Sequence, residues 1–180
     1  MSTMNPELFY CVQQFYYREA RLLDERQYQQ WLALLSNKIE YLVPARHVPQ
    51  LDNAKRETEA FLKREQEFNV IGEPPLRDEQ YLHLMIRVMR SLKMIAWTEN
   101  PPARTRRNIS NVELIAENAN TFTVFSNTLL YYSRHERVDH LYSYQRRDVL
   151  EKSGEDFKIL RREVLLDNGL VPAPSAGLFF

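Results

Sequence analysis

Four histidines (His47, His83, His135 and His140) and one cysteine, Cys11, are the chain's whole stock of imidazole and thiolate metal ligands. A Rieske cluster takes two cysteines and two histidines, so this sequence cannot build one. A mononuclear iron site of two histidines and a carboxylate is arithmetically open, from His135, Asp139 and His140. Adjacent strand residues point to opposite faces, however, which sets Asp139 against His140 and argues for ordinary solvated or hydrogen-bonded histidines. A nucleophilic Cys11 would need a nearby base and a lowered thiol pKa; beside Val12 on an amphipathic helix it reads as a small, buried or half-buried apolar residue. The glycines number four and lack the spacing of a phosphate-cradling loop. The sequence thus predicts no catalytic, cofactor-binding or metal-binding residue.

Arginine pairs recur at Arg106-Arg107, Arg146-Arg147 and Arg161-Arg162. With aromatic neighbours they could suggest single-stranded nucleic acid. On strands, though, each pair splits between two faces, which fits ion pairs across strands and between subunits, to carboxylates such as Asp148 or Asp167. The 24 basic side chains are balanced by 24 acidic ones, so no overall field attracts a polyanion.

The elements that would position these residues change period midway. Val12, Phe15, Tyr16, Leu22 and Leu23 recur at helical spacing, with Arg18, Glu19 and Arg21 assigned to the other face. Asp24 and Gln27 form a capping-box pattern before a second helix carrying Tyr28, Trp31, Leu32 and Leu35. Ile39, Tyr41 and Val43 alternate up to Pro44, as in a short edge strand. Residues 48–76 read as a long, partly helical excursion. Asp78 is a candidate cap for a third helix with Leu82, Met85, Ile86 and Met89 on one stripe, which Leu84, Val88 and Leu92 widen enough to be largely buried. From Asn108 onward the period is two, in four long strands joined by short turns at 118–120, 133–136 and 152–156.

Helices followed by an antiparallel meander predict an α+β fold, in one domain spanning residues 1–180, with a cone-shaped curved sheet wrapped around the helices. The 44% hydrophobic content of 180 residues supplies a core for it. Domains of this shape, the nuclear-transport-factor-2-like or steroid-isomerase-like fold, can hold a small molecule, and Tyr16, Asp24, Trp31, His140 and Tyr142 are candidates to line such a lyase or isomerase pocket. The bulk of Phe15, Tyr28, Trp31, Met85 and Met89 argues that side chains fill it. A single cysteine excludes an intrachain disulfide and fits a reducing cytoplasm. No signal-like opening or run of 18 apolar residues is present, which predicts a soluble, unexported chain.

Three stretches carry a family resemblance: Phe15-Tyr16-Tyr17-Arg18-Glu19-Ala20-Arg21-Leu22-Leu23-Asp24, Trp97-Thr98-Glu99-Asn100-Pro101-Pro102-Ala103-Arg104-Thr105-Arg106, and Arg161-Arg162-Glu163-Val164-Leu165-Leu166-Asp167. With Tyr41, Pro44 and Arg46, Arg147-Asp148-Val149-Leu150 and the closing Leu178-Phe179-Phe180, the chain resembles the small (β) subunit of bacterial aromatic-ring-hydroxylating dioxygenases. Lys38 and Tyr144-Gln145 depart from the family's usual residues. The resemblance implies a non-catalytic subunit that trimerises and joins three larger α subunits in an α3β3 hexamer. Those α subunits would carry the Rieske [2Fe-2S] cluster and the mononuclear non-haem iron, take electrons from a ferredoxin or reductase, and form a cis-dihydrodiol. Expected interface residues are Arg46, Trp97, Asn100, Arg104, Arg106, Arg147, Asp167, Phe179 and Phe180.

Overall fold

Asn5 opens the first helix because its side-chain oxygen accepts from the amides of Glu7 (3.0 Å) and Leu8 (3.4 Å). Pro6 follows at the position where a missing amide hydrogen costs nothing. This helix, α1, spans Pro6–Asp24 and buries Val12, Phe15, Tyr16, Glu19, Ala20, Leu22 and Leu23. The computed structural model describes residues 5–47, 67–68, 74–93, 102–134, 138–168 and 177–180, so most of the 48–76 excursion lies outside the described residues. Cys11 is exposed on α1, not half-buried, because it lies off the stripe that Val12 belongs to.

The second helix is shorter than its spacing suggests. Helix α2 is the five-residue Tyr28–Leu32, and Leu35 already begins strand β1, Leu35–Val43. Asp24 does not cap it; its carboxylate accepts from Thr105 and Arg107. Strand β1 is also not an edge. Strand β2, Arg77–Gln80, pairs antiparallel on one side of it, and β6, Asp156–Leu166, pairs parallel on the other. Four polar residues carry no apolar alternation, so nothing in β2's sequence announces a strand.

Helix α3, Tyr81–Ser91, is capped reciprocally by Gln80 and His83, whereas Asp78 lies in β2. It buries Leu84 and Val88, and leaves Leu82, Ile86 and Met89 exposed at 57%, 50% and 53%. Of the wide stripe expected to be largely buried, Leu84 and Val88 are inside and Met85 packs against the core, while Leu82, Ile86, Met89 and Leu92 face outward, because a helix that is apolar on so wide an arc does not reveal which part of it is covered.

Strands β3 (Arg104–Glu117), β4 (Thr121–Arg134) and β5 (Val138–Ser153) join β6 in the expected antiparallel meander. Across the sheet the order is β2-β1-β6-β5-β4-β3. This overturns the predicted cone. The sheet is mixed rather than wholly antiparallel, ends in two open edges at β2 and β3, and is neither closed nor strongly curled around the helices. Periodicity identifies strands but is silent on their partners, and β1 meets a strand about 120 residues downstream. Even-numbered residues of β4 and β5, from Phe122 and Val124 to Tyr144 and Leu150, form the inner face of the core. Each large apolar side chain buried there contributes roughly 2–3 kcal/mol.

Candidate functional site

The inner face carries charge where a core is usually apolar. Glu19, Arg146, Asp148 and Arg162 are all 0% exposed, two carboxylates against two guanidiniums. Asp148 on β5 lies directly opposite Arg162 on β6, so the pair is set by strand register. Arg162 forks onto Asp148 through Nε to Oδ1 (3.0 Å) and Nη2 to Oδ2 (2.7 Å). It forks again onto Glu19 through Nη1 to Oε1 (2.6 Å) and Nη2 to Oε2 (3.0 Å). Arg146 Nη1 donates to Glu19 Oε2 at 2.9 Å, and Trp31 Nε1 donates to Oε1 at 3.0 Å. Tyr16 Oη donates to Asp148 Oδ2 at 2.9 Å. One acidic residue of α1 therefore joins α2, β5 and β6.

Electrostatics keeps Glu19, Arg146 and Arg162 ionised. Burial by itself would raise the Glu19 carboxyl, but Arg162 and Arg146 outweigh it and hold the group at about 2. Burial likewise opposes the Arg162 charge, and Asp148 and Glu19 reverse the effect and push its pKa up. The Tyr16 phenol is raised well above its ordinary value by burial and then by Asp148. A phenol so held is a fixed donor and a poor acid. Fully buried and bonded to one another, these groups clamp helix to sheet.

A second cluster lies nearer the β3 edge. Asp24 accepts from Thr105 Oγ1 (3.0 Å), from the Arg107 amide (2.8 Å) and from Arg107 Nη1. The candidate pocket residues are thus divided among separate roles: Tyr16 and Trp31 serve the first cluster, Asp24 the second, and Tyr142 packs on Phe180. A cavity of about 400 Å³ opens elsewhere, lined among others by Leu32, Ser36, Tyr81, Lys152 and Lys158. None of the five pocket candidates borders it.

Each arginine pair divides as predicted, with Arg107, Arg146 and Arg162 inside and Arg106, Arg147 and Arg161 on the other face. Asp148 is internal rather than at a subunit interface, and its ion pair with Arg162 runs across strands. Arg46 and Asp167 meet, through the Arg46 guanidinium and the Asp167 carbonyl, and Arg104 and Arg106 are exposed on β3. Phe179 and Phe180 lie in the interior at 2% exposure. Trp97, Asn100 and His135 fall outside the described residues. Glu19 and Arg146 were not singled out from the sequence as a pair. The available signal for Glu19 was its place three residues after Tyr16 and three before Leu22, on the apolar stripe.

Among the described residues no three histidine, cysteine, aspartate or glutamate side chains converge on a metal position, and no helix is long and apolar enough to cross a membrane. Fold and site together define a class: a helix-covered open sheet whose polar groups are locked internally. A family model described as the ring hydroxylating beta subunit matches residues 18–173. The benzene 1,2-dioxygenase subunit beta of Pseudomonas putida is 31% identical over 178 residues, covering 97% of this chain and 90% of that one. The biphenyl 2,3-dioxygenase subunit beta of Rhodococcus jostii is 29% identical over 180 residues, covering 98% and 91%. A solved naphthalene 1,2-dioxygenase chain shares the fold at a TM-score of 0.79, with 21% identity and coverage of 100% and 89%. The chain belongs to the ring-hydroxylating β-subunit family and is the small subunit that partners a catalytic α subunit in aromatic-compound catabolism.

Proposed function

We propose that this chain is a non-catalytic assembly subunit, and that the outer face of its sheet is where it meets a second copy of itself in a β trimer within an α3β3 complex. One observation carries the reading. Leu129, Tyr131 and Leu141 are exposed at 46%, 41% and 61%. In register they form the rows Arg106–Tyr131–Leu141 and Asn108–Leu129–Ser143. Apolar groups ordered this way, bordered by arginine, have the composition of an interface core and rim. Arg104 and Arg106 stand at one side and exposed Asp139 and Asp167 at the other, so a rotated copy would bring opposite charges together. Arg147 extends the same face, and Arg46 reaches its border at Asp167.

The chain's single cysteine is too few for a Rieske cluster, which supports the reading, drawn from the family, that the α subunit holds that cluster and the mononuclear iron. In this reading the α subunit receives electrons from a ferredoxin or reductase and converts the ring to a cis-dihydrodiol, while this chain sets the geometry of the assembly. A cytoplasmic setting suits the lone thiol of Cys11. The test is native mass spectrometry of the chain alone and co-expressed with its α subunit. Leu141→Asp with Tyr131→Asp should dissociate the copies while the far-ultraviolet dichroism stays unchanged. A complex of undiminished mass would refute the placement.

A further inference from the structure

Residues 178–180 are recognised the way a peptide ligand is, by side chains from elements remote in sequence. Three consecutive main-chain oxygens each meet a cationic donor. The Leu178 carbonyl accepts from Arg87 Nη2 of α3 (2.6 Å), and the Phe179 carbonyl from Arg107 Nη2 of β3 (2.6 Å). The Phe180 main-chain oxygen accepts from Arg162 Nη1 of β6 (3.4 Å) and from Tyr41 Oη of β1 (2.9 Å). That same tyrosine oxygen accepts the Phe180 amide at 2.9 Å. No strand or α-helix includes the segment, so these contacts replace ladder hydrogen bonds.

The rings enter separate aromatic boxes. Phe179 lies 4.6 Å from Trp31 between ring centroids, with the Arg87 guanidinium 4.3 Å from its own centroid on the other contact. Phe180 is met edge-on by Tyr142 at 5.8 Å and Tyr144 at 5.4 Å. An ordinary core contact would bury the rings and leave the backbone to regular structure. Here main chain and side chains are both read, residue by residue.

We propose that this interior surface is a peptide-recognition site, selective for a segment with two consecutive aromatic residues, whose resident occupant is Leu178–Phe180 held as a separable ligand. The occupant links α2, α3 and four strands, so its occupancy clasps the helices to the sheet. The test uses the full chain with a protease recognition sequence in place of residues 169–176, cut in urea and returned to buffer with both fragments present. A folded one-to-one complex is expected by native mass spectrometry, and a labelled copy of the small fragment should exchange into it. Arg87→Met should weaken retention roughly tenfold, the effect of one charged hydrogen bond to a buried carbonyl. A fragment carrying serine at both aromatic positions should not enter. The site is refuted if the large fragment folds with nothing bound, if the mixture does not refold, or if the serine fragment binds equally well.

Discussion

Glu19 lies one helical turn beyond Tyr16, and everything about its surroundings favours the charged form. Its carboxyl is held at about 2 against an ordinary 4.5. A carboxyl lowered by folding contributes stability that is complete above its ordinary pKa and is lost as pH falls from about 4.5 towards 2. The amount is on the order of 3 kcal/mol. Urea unfolding across an acid series should therefore show a falling free energy in that window, and Glu19→Gln should lack that part of the slope. Parallel curves for the two proteins would assign the pH dependence to other carboxyls. Removing one partner outright is costlier at any pH: Arg162→Met leaves Glu19 and Asp148 buried with too little positive charge, a loss of roughly 3–5 kcal/mol by denaturant titration. The sequence held the clue to Glu19 but charge obscured it. Reading Arg18, Glu19 and Arg21 as one solvated face follows the usual rule for charged residues, and the rule fails where two internal arginines are supplied by strands more than 120 residues away.

Elements were legible where local chemistry alone decides them. The β5–β6 hairpin is an example: Ser153 pairs with Asp156, leaving Gly154 and Glu155 as the loop, and Gly154 adopts φ 65°. A Cβ there would meet nothing within 4 Å, so the penalty of Gly154→Ala is purely backbone strain, about 1–2 kcal/mol. Gly154→Asn should cost less, and chemical denaturation of the pair would separate strain from any packing effect. Similarly, Asn5→Ala removes the acceptor for two free amides of α1 and should cost about 1 kcal/mol, with faster amide exchange confined to the first turn. Elements whose identity depends on distant partners were not legible. Periodicity found β1 but placed it at an edge, because β2 is four polar residues and β6 comes at the far end of the chain. The cone failed for the same reason: an apolar helix stripe can be buried on one face of an open sheet, and strand spacing does not distinguish that from a closed wrap.

At the scale of the whole molecule, the inner face is buried while, among the described residues, the outer face exposes Leu129, Tyr131 and Leu141, and the proposed assembly divides the labour on that outer face by chemistry. Arg104 and Arg106 lie on an edge strand, exposed to solvent, where charge acts over distance and is screened by salt. Tyr131 and Leu141 lie further into the sheet and gain only once water has left. Rim charges of this kind govern the rate of encounter, and desolvated apolar groups govern the lifetime of the complex. Neutralising the pair with Arg104→Gln and Arg106→Gln should slow association about tenfold at low ionic strength, and added salt should erase the difference. Leu141→Ala should instead speed dissociation by about tenfold, with little dependence on salt. Stopped-flow mixing of labelled, dissociated subunits measures the association rate, and exchange between two labelled pools measures the dissociation rate. If salt erased the Leu141 effect as well, the apolar rows would not be a desolvated contact, and the outer face would be held by charge alone.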